Sequence, residues 1–281
     1  MIIGANLPDV DVLAVPFGDS IGFRRGITHG IPALILWPFV LTGLVMLWDR
    51  LVRRRRDPAV APVAPAALLI ASAVSIVSHP FFDWLNTYGL RWLMPLGREW
   101  FYGDSIFIVD LWLWLSLGAG FILARRRSSP RPARIALGFA SVYVAFMMIT
   151  SRVIAERVRA ETGVGGAPRS MMVAPIPVNP FVRELLVVQG GTYRRGRASL
   201  FSGPIAWGET VAINRDDPAV RLAVAEPGLA SFLDWARFPF FTVSRQGAVT
   251  LVRVSDARYS DNPGGGWASV TIEIPTPEPS R

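Results

Sequence analysis

The apolar positions of this 281-residue chain form long unbroken runs in its first half and short alternating runs in its second. Ile31–Trp48 and residues 61–78 are each 18 residues without a charge. Residues 105–124 form a 20-residue run whose one acid, Asp110, lies near its start, and residues 135–154 form a fourth run blurred by Arg152. A helix needs about 20 residues to cross the hydrocarbon core of a bilayer, with a tolerance of a few. The pattern therefore predicts about four transmembrane helices. Pro38 and Pro65 lie inside two of them, which neighbouring helices can accommodate.

After Arg157 the periodicity changes. Residues 160–169 (AETGVGGAPR) read as a Gly/Pro-containing linker. Beyond it, β-branched and alternating stretches predict strands. Residues 183–189 turn at Gly190-Gly191 into 192–201; residues 240–244 turn at 245–247 into 248–255; residues 267–274 (WASVTIEI) alternate cleanly. Residues 219–235 read as a short helix pair broken at Pro227, and residues 275–281 as a frayed tail. The expected fold class is thus a membrane all-α domain over residues 1–157, a linker over 158–169, and a small extramembrane α+β domain with antiparallel strands over 170–281.

Composition agrees. Hydrophobic residues make up 51% of the chain and mean hydropathy is +0.37, too apolar for a soluble domain of this size. All 29 basic residues are arginine and the net charge is +8, a balance that elsewhere would suggest nucleic acid. Here the arginines sit beside the apolar runs. Arg50, Arg53, Arg54, Arg55 and Arg56 follow the first run; Arg125, Arg126, Arg127, Arg131 and Arg134 follow the third. By the positive-inside rule both loops are cytoplasmic. Residues 80–104, the first thirty residues and everything after the fourth run then face outward, which in a bacterial inner membrane is the periplasm. Topology accounts for the charge, the lipid bilayer is the expected partner, and no nucleic acid is expected. The absence of cysteine excludes disulfides, thiolate metal sites and thiol nucleophiles. The opening MIIGAN is apolar without a basic leader, so it reads as the tail of a helix that begins upstream rather than as a signal peptide.

The outward segments hold both histidines of the chain and several acids. Asp9 and Asp11 flank one residue; Arg24 and Arg25 precede His29; His79 and Asp83 are four apart; Asp104 and Asp110 lie at the mouth of the third run. An i, i+4 pair points from one face of a helix. Nitrogen and oxygen donors without sulfur suit a divalent metal, zinc first, with manganese or iron also compatible. Ionisable groups at the edge of an apolar span cost a few kcal/mol unless paired, and a metal ion, Arg24, Arg25 or Arg91 would supply the partner. Plainer roles exist for each residue. Asp9 and Asp11 fit a solvated turn after Pro8, His29 a headgroup position, Asp104 the N-cap of the third span, and Arg24 and Arg25 lipid phosphates.

These residues resemble those of the YdjM-like, membrane-bound metal-dependent hydrolases. The resemblance rests on residues 6–11 (NLPDVD), 25–30 (RGITHG) and 79–89 (HPFFDWLNTYG), continuing through 92–96 (WLMPL) and 107–110 (FIVD), over roughly the first 125 residues. It implies a metal-dependent hydrolase of the inner membrane, with kinship to zinc-dependent phospholipase C and related nucleases. Carried over, the implied ligands are Asp9, Asp11, His29, His79 and Asp83, followed by Asp104 and Asp110. The family often has a histidine where this chain has Arg24 and a serine where it has Gly30; it also tends to open on a helix bearing a Thr-His pair. The leading expectation is hydrolysis of a phosphoester or lipid-linked substrate by metal-activated water. Whichever of Asp9 and Asp11 is not ligated would act as base, and Arg24, Arg25 or Arg91 would clamp an oxyanion. The rival expectation is a non-enzymatic membrane protein whose outer domain binds an envelope partner and whose acidic cluster is a structural metal clip.

Overall fold

Proline and caps decide where the apolar runs become helix. The computed structural model describes residues 1–17, 20–163, 168, 170–201, 203–260 and 267–276. Two units emerge from the packing, Met1–Tyr102 and Gly103–Arg281.

In the first unit, α1 (Ile2–Asn6) leads into a 3-10 segment, Pro8–Phe17, and the short α2 (Ser20–Phe23). A single 3-10 turn, Ile27–His29, precedes α3 (Ile31–Trp48), which continues through a π turn, Asp49–Arg53, into α4 (Arg54–Arg56). The long helix α5 (Pro65–Leu85) starts with proline at its first position, where a missing N–H costs nothing. The expected span at 61–78 is therefore shifted toward its C-terminus. Pro80 lies inside α5 and does not restart it. Leu34, Leu41 and Ile76 join α3 to α5, with Trp37, Val45 and Trp92 packed against them.

The second unit opens with α6 (Leu111–Arg126) and α7 (Arg131–Thr162). Among the described residues three helical stretches are long and apolar enough to cross a membrane: Ile31–Arg56, Pro65–Leu85 and Arg131–Thr162. The expected third span starts six residues later than its apolar run, because the Asp110 carboxylate caps α6 by accepting from the N–H groups of Trp112 and Leu113. Asp110, not Asp104, is the N-cap. At 16 residues α6 is about 24 Å long.

Two antiparallel sheets follow. One has the order β1 (Ser170–Pro175), β2 (Val182–Gln189), β3 (Thr192–Ser199), β4 (Ala206–Ala212); the other runs β5 (Pro239–Gln246), β6 (Val249–Asp256), β7 (Ser269–Pro275). Between them lie α8 (Pro218–Val224) and α9 (Pro227–Trp235), the helix pair expected around Pro227. The β2–β3 connection is a two-residue turn with Gly190 at φ 56° and Gly191 at φ 78°; both positive values favour glycine. In the β5–β6 hairpin Gln246 pairs with Val249, so the turn is Gly247-Ala248 and begins two residues later than the turn expected at 245–247.

Period-2 alternation distributes the first sheet between two cores. Val173, Leu185, Val187 and Ala198 pack with Ile154 and Val158 of α7. Met172, Ala174, Leu186 and Tyr193, on the opposite face, pack with Phe240 of β5 and with Phe238 and Ala257, which flank β5 and β6. The last turns of α7 thus belong to the core of the β-rich portion, and α7 continues to Thr162, past the position where the apolar run fades. Parts of the expected linker (residues 164–167 and 169) and tail (277–281) lie outside the described residues.

Candidate metal centre

The first unit places four of the expected ligands together. The 3-10 segment after Pro8 carries Asp9 and Asp11; the single turn before α3 carries His29; the last two turns of α5 carry His79 and Asp83. Asp9, His29, His79 and Asp83 each offer one donor atom within 4.8 Å of all the others. His29 Nε2 lies 3.6 Å from Asp9 Oδ1 and 3.5 Å from Asp83 Oδ2. His79 Nε2 lies 3.5 Å from Asp9 Oδ2 and 3.3 Å from Asp83 Oδ2.

These spacings fit a cation. Donors placed tetrahedrally about 2.0–2.1 Å from a zinc ion are roughly 3.3–3.4 Å from one another. The chemistry of the atoms agrees. His29 Nε2, His79 Nε2 and Asp83 Oδ2 are all buried and make no hydrogen bond within the protein. Leaving three buried polar atoms unsatisfied costs about 1–3 kcal/mol each. Their convergence on one point is explained by a shared electrophile. The imidazoles of His29 and then His79 hold the Asp9 carboxyl well below the usual carboxylate range, which suits a ligand more than a proton acceptor.

The surrounding residues orient this set. Thr28 Oγ1 is 3.1 Å from His29 Nδ1, and Asp11 Oδ2 lies 3.7 Å from the same nitrogen. A proton on Nδ1 leaves the Nε2 lone pair aimed at the cluster, the usual arrangement behind a metal-bound histidine. Asp11 thus falls outside the ligand group and backs His29. Asp11 Oδ2 also accepts the Arg25 backbone N–H at 2.7 Å, holding Arg25 at a φ of 49°. The Arg25 guanidinium in turn pairs with Asp83 Oδ1 at 2.8 Å, donates to Asn86 Oδ1 and the Gly89 carbonyl, and lies over Tyr88. Arg91 is buried, donates to the Gly22 and Arg24 carbonyls and stacks on Trp100. Gly30 lets the chain pass: a Cβ there would stand 2.2 Å from the Met94 carbonyl oxygen.

Of the three arginines expected to clamp an anion, Arg25 and Arg91 are occupied by structural contacts. Arg24 is the more open one, with its side chain 30% exposed and its guanidinium 3.7 Å from Asp9 and 3.8 Å from Asp11. In the sequence Asn86 and Gly89 stand out only as part of the family-resembling run at residues 79–89, which gives no sign that they seat Arg25.

Two expected ligands are engaged elsewhere, a correction to the sequence-based set. Both Asp104 oxygens accept from Arg237, at 2.9 and 2.8 Å. Burial pushes the Asp104 carboxyl up, against the pull of Arg237. Asp110 caps α6 and accepts the Tyr143 hydroxyl at 3.0 Å. Each carboxylate is satisfied by its own unit without a metal.

A membrane-helix scaffold carrying His29, His79 and Asp83 at the ends of its apolar spans, joined by Asp9 from the 3-10 segment, defines a membrane protein with a candidate metal-binding cluster. Residues 1–154, more than half the chain, match the model of the family described as YdjM inner membrane protein, and the chain belongs to that family. A relative in Bacillus subtilis (strain 168), described as uncharacterized protein YfhP, is 24% identical over 146 residues, which are 51% of this chain and 39% of that protein. The chain therefore aligns with about two-fifths of that relative's length. No solved structure matches the chain.

Proposed function

We propose that this protein is a membrane-bound, metal-dependent hydrolase acting on an anionic, phosphoester-type substrate, free or lipid-linked, at the periplasmic surface of the inner membrane. The observation that carries this reading is the convergence of Asp9, His29, His79 and Asp83, with three of their donor atoms buried and otherwise unsatisfied. These four residues would hold the ion, zinc being the best fit to two imidazoles and two carboxylates. When bound, such an ion supplies a water of pKa about 7 and a Lewis acid for the scissile group.

The chain's own residues do the rest. Thr28 and Asp11 keep the proton on His29 Nδ1. Arg25 fixes one oxygen of Asp83 and leaves the other toward the histidines. Arg24 stands beside Asp9 with its guanidinium partly open to solvent, where it would meet an anionic oxygen of the substrate. The arginine-dense loops after the first and third apolar runs support placing the site on the periplasmic side.

The test is a panel of soluble and lipid-borne phosphoesters assayed with the full-length protein in proteoliposomes. Turnover should vanish on chelation and return with zinc, and His79→Ala should abolish it. A protein that binds metal stoichiometrically yet turns over nothing on the panel would favour a structural metal clip instead.

A further inference from the structure

A second feature lies in the unit that begins at Gly103 and is independent of the metal centre. A crossing of about 20 residues that starts after Arg134 ends near residue 154, so Phe146 sits two turns inside it. Phe146 does not face lipid alone. Its ring meets Phe181 edge-on at 5.8 Å, and Phe181 meets Phe201 at 5.0 Å. Phe181 ends the β1–β2 loop and Phe201 lies in the β3–β4 loop; the two loops are tied by the Leu200 N–H donating to the Phe181 carbonyl. Their tips are apolar and open: Val178 is 58% and Phe201 72% exposed. Val178 is also held at a φ of 71°, a conformation that β-branched residues avoid.

Much of the backbone of the β1–β2 loop is satisfied internally, as a chain with little access to water requires. Pro177 and Pro180 have no N–H. The Asn179 N–H donates to the Pro177 carbonyl and the Phe181 N–H to Asn179 Oδ1. The Val178 carbonyl accepts from Trp112 Nε1 at 2.8 Å, at the start of α6. The Pro180 and Val182 carbonyls accept from the guanidinium of Arg183, which is fully buried and also donates to the Met147 carbonyl and Ser151 of α7. An exposed polar loop in water needs none of these partners. An apolar loop continuous with the surface of a membrane helix gains from having most of its carbonyls capped from inside, as here.

We propose that the β1–β2 loop around Val178 and Phe181, together with Phe201, is inserted into the phospholipid bilayer beside α6 and α7, and seats the β-rich portion on the membrane surface. The chain has no cysteine, so single-cysteine variants give an unambiguous reading. Spin labels are placed at Val178→Cys, Phe201→Cys and, as a control, Ala212→Cys. Ala212 pairs with Thr192 beside the Gly190-Gly191 turn, at the end of the sheet remote from Phe181; the eight residues of β2 span about 26 Å. In phosphatidylethanolamine/phosphatidylglycerol proteoliposomes, labels at 178 and 201 should collide with oxygen several-fold more often than with a water-soluble nickel chelate, and the label at 212 should show the reverse. Labels at 178 and 201 as accessible to the nickel chelate as the control would overturn the proposal. So would labels shielded from both reagents, the result expected if another protein covered the loops.

Discussion

Asp11→Asn tests how the metal centre is built rather than merely whether its ligands matter. The change keeps an oxygen to accept the Arg25 N–H and removes the charge 3.7 Å from His29 Nδ1. Two unit charges at that distance interact by about 4–5 kcal/mol at an effective dielectric of about 20. An imidazole that ligates a divalent ion takes on only part of a charge, so roughly a third to a half of this, about 1.5–2.5 kcal/mol, is at stake. That corresponds to a roughly 10- to 70-fold weaker zinc affinity, within the range typical of groups behind metal ligands. Competition with a chromophoric chelator in detergent reads the dissociation constant, and thermal unfolding of the metal-free protein reads the fold. A variant that melts like the wild type and binds zinc within twofold of it would refute the role given to Asp11.

Two further outcomes follow from the same contacts. Arg237→Met removes the bidentate partner of the largely buried Asp104 and should destabilise the protein by roughly 2–4 kcal/mol in denaturant unfolding, with metal binding unchanged; a loss under 0.5 kcal/mol would count against that pair. Protons compete with metal for the imidazoles of His29 and His79, whose ligating form is neutral, so zinc affinity should fall as pH is lowered and be restored on raising it. A flat profile between pH 5.5 and 8 would mean that imidazoles are not ligands.

Much of the membrane scaffold was legible because long uncharged runs admit few interpretations, and the His79–Asp83 pair because helical periodicity alone brings residues four apart together. That Asp9 and His29 join them depends on a 3-10 segment and a single turn folding back onto α5, which no local pattern encodes. Asp104 and Asp110 misled for the converse reason: a carboxylate at a span mouth can be satisfied by an arginine 133 residues away or by a helix end, and sequence does not distinguish these from a metal. The C-terminal turns of α7 were hidden by Arg152, Glu156, Arg157 and Arg159, although Ile154 and Val158 keep helical spacing toward the β core. Strand β1 is buried along most of its length on both faces and so shows no alternation. Edge strand β4 is mostly exposed and contains Gly208, so it carries almost no strand signal.

The central claim, that these four side chains hold one metal ion, is tested most directly by X-ray absorption at the zinc edge of the full-length protein after chelation and reloading with one equivalent. The account predicts stoichiometric binding and a first shell of nitrogen and oxygen at about 2.0–2.1 Å with scattering from two imidazoles, reduced to one in His79→Ala. Substoichiometric, loosely held zinc, or a shell without imidazole that His79→Ala leaves unchanged, would contradict it.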